Sequence, residues 1–275
     1  MFLDREIMPG IIHITDEMGV SFTLIEGEER AILFDAGYGT ENVEEHIRSL
    51  TAKPVTLLLS HGHHDHVLGA AWFTECRLCR DDLDEFRLRT GEAQRAQVIR
   101  QAAENGITVS PDFGTRGIPT PREIRFTGHT GPFDDMAEDL GARMVRVIRV
   151  PGHTAGSIVL FLPKERLLLT GDDWNPCTWM WFPCSLPAAR WRANMQTLVR
   201  ELERDGAGEI RLVLCSHQQA PRKASEMKAF LEYMTEERMR TAPAEPMNSP
   251  INTHVIRKDP EGWALIFDRD RYTDL

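Results

Sequence analysis

Val55-Thr-Leu-Leu-Leu-Ser-His61-Gly-His63-His-Asp65-His66 joins an apolar run directly to a histidine cluster. The run at 55–59 predicts a strand that is buried on both faces. The cluster holds four of the ten histidines of the chain. Imidazole and carboxylate groups are common ligands of divalent metals, and the absence of cysteine favours a catalytic site over a closed structural one. The sequence therefore predicts a metal site directly after a buried strand.

Three further polar residues stand at the ends of apolar runs. They are His153 in Pro-Gly-His-Thr-Ala-Gly-Ser, Asp172 in Leu-Thr-Gly-Asp, and His217 in Leu-Cys-Ser-His. Side chains at the ends of neighbouring buried strands converge on one rim of a sheet, so residues distant in sequence can share an ion. We therefore expect these three residues to bind metal together with the histidine cluster.

In order along the chain, these elements match the motif series of the metallo-β-lactamase superfamily, which the chain resembles over about residues 11–217. The resemblance implies an α/β fold, an αββα four-layer sandwich, with the site at one edge of two packed sheets. It also implies two metal ions. The first would be bound by His61, His63 and His153, the second by Asp65, His66 and His217, and Asp172 would bridge them.

The implied activity is that of a metal-dependent hydrolase. A metal-bridging hydroxide would attack an ester, thioester, lactone or phosphodiester, and Asp65 would act as the catalytic residue that orients the nucleophile. Zinc is the expected metal, although manganese and iron accept the same ligands. An Asp at position 172 is similar to the residue at this motif in the glyoxalase II, lactonase and phosphodiesterase-like branches, whereas true β-lactamases usually carry Cys or Ser there. His63 stands where flavodiiron-type members usually carry Glu, which disfavours that redox class.

The resemblance leaves other functions open. In a sulfur dioxygenase of the same fold, a single iron would be bound by His61, His153 and Asp172. A non-catalytic binding module is disfavoured because all seven ligand positions are intact. Glyoxalase II itself would be expected to show basic glutathione-binding residues near the C-terminus, and Arg222 and Lys223 form no convincing motif of that kind.

Several other histidines and cysteines match metal-binding patterns less well. His129, in Gly-His-Thr-Gly, imitates the element around His153 but lies in a turn flanked by Gly and Pro. We interpret His64 as support for the metal loop, and Cys76 and Cys79 as structural thiols, because no second pair of ligands accompanies them. The remaining histidines, His13, His46 and His254, are interpreted as structural or surface residues.

An aromatic segment follows Asp172 immediately, with Trp174, Trp179, Trp181 and Phe182 in nine residues. Such a cluster must be buried somewhere. It predicts either a core or homodimer contact, or an apolar wall beside the metals that binds an acyl, aryl or lactone group. The sequence does not distinguish between these alternatives.

Strand and helix patterns occur in two successive halves without a linker between them. We therefore predict a single domain over 1–275, with a helical excursion over the core at about 81–121. Thr40 is predicted to cap a helix that runs to about Leu50.

The composition limits the partners of the chain. A formal net charge of −10 argues against general nucleic-acid binding, which needs clustered Lys and Arg, so a small-molecule substrate is expected. Asp4, Arg5 and Glu6 interrupt the apolar stretch that a signal peptide would need, and no later run approaches a membrane span. Five cysteines are too few for a disulfide scaffold. We expect a cytoplasmic protein without membrane attachment.

Overall fold

The computed structural model describes residues 1–117, 119–120, 123–204, 209–258 and 263–274. These residues form two compact units. The first unit comprises residues 1–130, 137–145 and 216–220, and the second comprises 131–136, 146–215 and 221–275. The single-domain organisation stays a prediction, and residues 118 and 121 of the expected excursion lie outside the described residues.

The first unit contains a seven-stranded sheet whose strands are ordered as in the sequence. The first four strands are antiparallel, and the later ones are added in parallel. The strands are β1 (Leu3–Met8), β2 (Ile11–Thr15), β3 (Ser21–Glu26), β4 (Ala31–Phe34), β5 (Val55–Leu58), β6 (Cys76–Leu78) and β7 (Ile124–Phe126). Because β4 and β5 are parallel, their carboxyl ends lie at the same edge of the sheet, directly before Asp35 and the histidine cluster.

The helices of the first unit are α1 (Val43–Leu50), α2 (His64–Val67), α3 (Leu83–Arg89) and α4 (Glu92–Glu104), with 3-10 turns at Leu68–Trp72 and Arg80–Asp82. Helix α1 begins after Asn42, whose side chain accepts a hydrogen bond from the Glu45 backbone. The prediction that Thr40 caps this helix was wrong, because an Asn nearer the first turn supplies the acceptor. Val43 and Ile47 of α1 pack into the apolar core of the unit.

Six further strands form a second sheet, ordered β14-β13-β11-β10-β9-β8. They are β8 (Asp135–Asp139), β9 (Met144–Arg149), β10 (Ile158–Leu162), β11 (Leu167–Leu169), β13 (Leu212–Leu214) and β14 (Arg222–Lys223). Both β9 and β11 run antiparallel to β10. Their carboxyl ends therefore lie at one edge of the sheet, and the chain continues from them towards His153 and Asp172.

Among its described residues, the second unit holds a three-stranded sheet, ordered β12-β16-β15, and three helices. These elements are β12 (Cys177–Met180), β15 (Thr253–Arg257), β16 (Ala264–Asp268), α5 (Ala188–Arg204), α6 (Ala224–Tyr233) and α7 (Glu236–Thr241), with a 3-10 turn at Arg269–Arg271. Helix α5 buries Trp191, Met195, Leu198 and Leu202, whose spacing places them on one face of the helix. Among the described residues, no helix has the length and apolar content needed to cross a bilayer.

Gly69 lies in the 3-10 turn that follows α2, at a close approach to Ala36. A methyl group on Gly69 would lie 2.0 Å from the backbone oxygen of Ala36, and the backbone cannot yield as a flexible side chain could. Gly69→Ala should therefore destabilise the fold by about 4 kcal/mol or more. We expect the thermal unfolding midpoint to fall by about 10 °C.

The matched control is Gly117→Ala, because an added methyl group at Gly117 meets no atom within 4 Å. This variant should unfold within about 2 °C of the parent protein. Equal midpoints for the two variants would show that the packing at Gly69 tolerates a side chain.

Candidate metal centre

In the first unit, the turn after β5 gathers the histidine cluster at the end of the sheet. His63 precedes α2, and its backbone oxygen accepts hydrogen bonds from His66 (3.0 Å) and Val67 (3.1 Å). The ring centroid of His61 lies 4.1 Å from that of His66 and 4.7 Å from that of His63. All three of these imidazoles are buried. A short helical turn after a buried strand thus brings them together.

Asp65, His66 and His217 bring their ligand atoms to a common point in the same unit. Asp65 Oδ2 lies 3.5 Å from His66 Nε2 and 3.6 Å from His217 Nε2. Ligand atoms about 2.0–2.1 Å from a tetrahedral zinc are about 3.3 Å apart, so this spacing suits a shared divalent ion. Burial alone would raise the pKa of Asp65, but the surrounding imidazoles of His66, His64 and His217 hold that pKa well below its usual range. The carboxylate is therefore ionised, as a metal ligand must be.

Asp35 orients two of these histidines. Its Oδ2 accepts hydrogen bonds from His66 Nδ1 (3.0 Å) and from Ser60 Oγ (2.7 Å), and its Oδ1 accepts from the Ser60 backbone (2.6 Å). Ser60 Oγ also lies 2.9 Å from His61 Nδ1. Because Nδ1 of His66 is committed to Asp35, its Nε2 is the nitrogen left for a metal. Asp35 has a φ of 67°, a backbone conformation that non-glycine residues seldom adopt.

Asp35 was not predicted from the sequence. The signal in the sequence was the position of Asp35 directly after the residues that form β4. This strand is fully buried and pairs in parallel with the strand that leads to the histidine cluster. That pairing joins residues far apart in the sequence.

Glu85, on helix α3, is a second residue that sequence analysis missed. Its Oε1 lies 3.5 Å from His63 Nε2 and accepts a hydrogen bond from Arg89 Nε at 2.6 Å. Burial would raise the pKa of Glu85, but the hydrogen bonds with His63 and Arg89 lower it to about 2. The predicted helical excursion therefore supplies a fixed anion beside a candidate metal ligand.

Strands β2 and β3 hold the loop that carries His217. The Ser21 backbone donates to the Ser216 oxygen at 2.7 Å, and His13 Nε2 lies 2.8 Å from the Gln218 oxygen. Burial lowers the pKa of His13, so the ring is neutral and donates this hydrogen bond. The interpretation of His13 as a structural residue agrees with these contacts.

The second unit brings His153 and Asp172 together. His153 Nε2 lies 3.7 Å from Asp172 Oδ2, while His153 Nδ1 hydrogen bonds to the Trp179 oxygen at 2.9 Å. Asp172 Oδ1 accepts a hydrogen bond from Asn175 Nδ2 at 3.0 Å. The Asp173 carboxylate accepts from the His153 backbone at 2.7 Å. Like His66 in the first unit, His153 hydrogen bonds to the protein through Nδ1 and faces a carboxylate with Nε2. This arrangement fits metal ligation.

The predicted ligands thus form a five-residue set in the first unit (His61, His63, Asp65, His66 and His217) and a pair in the second (His153 and Asp172). His64 packs edge-on against Tyr38 at 5.5 Å, as expected of a residue that supports the loop. His129 is buried, with Nδ1 2.7 Å from Thr127 Oγ1. Cys76 and Cys79 are buried, and neither forms a disulfide bond.

A model of the metallo-beta-lactamase superfamily matches residues 15–217 of the chain. The protein therefore belongs to the metallo-beta-lactamase superfamily. Its predicted family is confirmed.

Curated relatives carry the names of hydrolases. The acyl-coenzyme A thioesterase MBLAC2 of Gallus gallus is 26% identical over an alignment of 174 residues, with 56% of this chain and 60% of the relative covered. The human protein of that name is 24% identical over 212 residues, with 70% and 71% covered. A probable metallo-hydrolase of Methanocaldococcus jannaschii is 29% identical over 154 residues, with 54% and 64% covered. The chain thus spans only part of the length of these relatives.

Solved structures show the same fold. A metallo-beta-lactamase from Pontibacter korlensis superposes with a TM-score of 0.57 at 18% identity, covering 84% of this chain and 98% of that one. The sec-alkylsulfatase Pisa1 from Pseudomonas sp. superposes with a TM-score of 0.62 at 15% identity, covering 84% of this chain and 40% of that one. The predicted α/β class and metallo-β-lactamase fold are confirmed.

Asp35→Asn tests whether this carboxylate orients the metal ligands. The amide replaces one acceptor oxygen by a donor, so it cannot accept all three hydrogen bonds from Ser60 and His66. We expect metal affinity to fall by about 10- to 100-fold, measured by competition with a chromophoric chelator. Asp84→Asn is the control, because the Asp84 side chain is 98% exposed and should leave affinity unchanged. Equal affinities for the two variants would remove Asp35 from this role.

Proposed function

We propose that this protein is a metal-dependent hydrolase whose seven candidate ligands hold two divalent ions. The observation that carries the proposal is the arrangement of donors in each unit. His66 and His153 commit Nδ1 to protein acceptors and present Nε2 to the carboxylates of Asp65 and Asp172. Membership of the metallo-beta-lactamase superfamily supports it further.

We assign the ligands to the two ions by the order of the family's motifs. His61, His63 and His153 would hold the first ion, Asp65, His66 and His217 the second, and Asp172 both. Imidazole and carboxylate suit zinc first, and manganese and iron would bind to the same donors.

When bound, such ions would supply hydroxide near neutral pH and polarise the oxygen of the substrate. The side chains of the protein would orient the attacking water and the metal ligands. Asp65 Oδ2, close to two imidazoles and ionised, is placed to accept a hydrogen bond from the attacking water and so to orient it. Asp35 and Glu85 would keep His66 and His63 from rotating away from their ligand positions.

The substrate class that we propose is a small ester or thioester, with lactones and phosphodiesters as the wider group. The names of the thioesterase relatives favour an acyl thioester. The net charge of −10 disfavours nucleic acid as a general substrate. A cytoplasmic location stays a prediction.

Elemental analysis of the freshly purified protein tests the metal assignment. We expect about two zinc or manganese ions per chain, and hydrolysis of simple thioesters or esters that stops on chelation and returns when metal is restored. One iron per chain with oxygen consumption in place of hydrolysis would favour the sulfur dioxygenase alternative. A protein that binds no metal after reconstitution would contradict the proposal.

Asp65→Ala tests the role of Asp65 in the reaction. Loss of the carboxylate should lower kcat/KM by about 10²- to 10⁴-fold and reduce the metal content per chain, because the same group serves as a metal ligand and orients the attacking water. Asp84→Ala, at an exposed carboxylate on α3, should keep both values. Full turnover by Asp65→Ala with unchanged metal content would exclude Asp65 from the mechanism.

A further inference from the structure

The aromatic segment after Asp172 divides into a buried part and an exposed part. Trp174 is completely buried, and its ring lies edge-on to Phe230 at 6.2 Å and to Trp263 at 6.4 Å. It belongs to the apolar core of the second unit. The core interpretation therefore holds for Trp174, and a different explanation is needed for the residues that follow.

Trp179, Trp181 and Phe182 form a continuous surface, which we call the aromatic face. Trp181 and Phe182 stack with ring centroids 4.4 Å apart, and Trp179 lies 5.9 Å from Trp181 and 6.1 Å from Phe182. Trp179 is 40% exposed although it is one of the largest apolar side chains. An exposed tryptophan supported by two further rings is typical of a binding surface.

The backbone fixes the aromatic face in place. In β12, burial alternates, so that Cys177 and Trp179 are exposed while Thr178 and Met180 are buried. After the strand, Arg271 Nη2 donates to the Phe182 oxygen at 2.9 Å, and the Ser185 backbone donates to the same oxygen at 2.9 Å. A surface that is ordered before binding loses less entropy when a ligand arrives.

The aromatic face is continuous with the candidate metal ligand His153. The Phe182 ring lies edge-on to the His153 ring, with centroids 5.5 Å apart and an interplanar angle of 81°. His153 Nδ1 binds the Trp179 oxygen, and Ser185 Oγ donates to the His153 oxygen at 2.7 Å. A group attached to a reacting carbon near His153 Nε2 would therefore lie within reach of these rings.

We propose that the aromatic face is the subsite for an apolar acyl or aryl group attached to the carbonyl that is hydrolysed. The inference rests on the proposed hydrolase function and adds the chemical class of the substrate's side group. A small group suits the available area better than a second copy of the chain. Three partly buried rings, each of about 150–250 Å² in full, expose far less than the roughly 800 Å² per partner of a stable interface.

The test compares straight-chain thioesters from acetyl to octanoyl. For the parent protein, each added methylene that contacts the rings should raise kcat/KM by about threefold. Trp179→Ala should lower the octanoyl-to-acetyl ratio of kcat/KM by about tenfold, and Trp179→Phe should restore most of it. Met144→Ala is the matched control, because Met144 is 45% exposed and Trp179 is 40% exposed. This control should keep the parent ratio.

A second measurement does not depend on turnover. Octanoate should bind to the purified protein more tightly than acetate in calorimetry, and Trp179→Ala should remove the difference. If no thioester or ester is hydrolysed, the proposed function fails, while the octanoate comparison still tests the subsite. Equal binding of octanoate and acetate, or an unchanged ratio in Trp179→Ala, overturns the subsite. A smaller particle mass for Trp179→Ala with an unchanged ratio would instead identify a contact between copies and would also overturn it.

Discussion

The carboxylate of Asp35 is the contact on which the candidate metal centre of the first unit depends. It accepts hydrogen bonds from Ser60 and His66, and Ser60 in turn contacts His61. The carboxylate is buried, so these bonds act in a medium of low dielectric constant, where each is stronger than in water and leaving one unmade is costly. The parallel pairing of β4 with β5 makes the contact possible, because it places the ends of both strands at one edge.

The sequence predicted the parts of this protein that are encoded locally. The apolar run before His61 predicted β5. The histidine cluster, together with His153, Asp172 and His217, was sufficient to indicate the family. Each of these signals lies within a few neighbouring residues, where periodicity and spacing are visible.

Features that depend on distant pairing were not visible in the sequence. Asp35 lies 31 residues from His66, and the anion opposite His63 belongs to Glu85 on a separate helix. An aspartate after a strand and a glutamate on a charged helix are common, and only the tertiary contact distinguishes them. The helix cap was mispredicted for a similar reason, since both Thr40 and Asn42 are suitable residue types and geometry selects Asn42. The assignment of seven ligands to two ions stays a proposal that rests on the family's motif order.

His153 is held through a main-chain oxygen, that of Trp179, and this has a consequence for how the protein can change. Every amino acid provides that oxygen, so replacement of the side chain at position 179 leaves the support of the histidine in place. Substitutions can therefore change the shape and polarity of this surface without disturbing His153 beside it. A scaffold of this kind separates the support of His153 from the identity of the side chains beside it, so that the neighbouring surface can diversify while the position of the histidine persists.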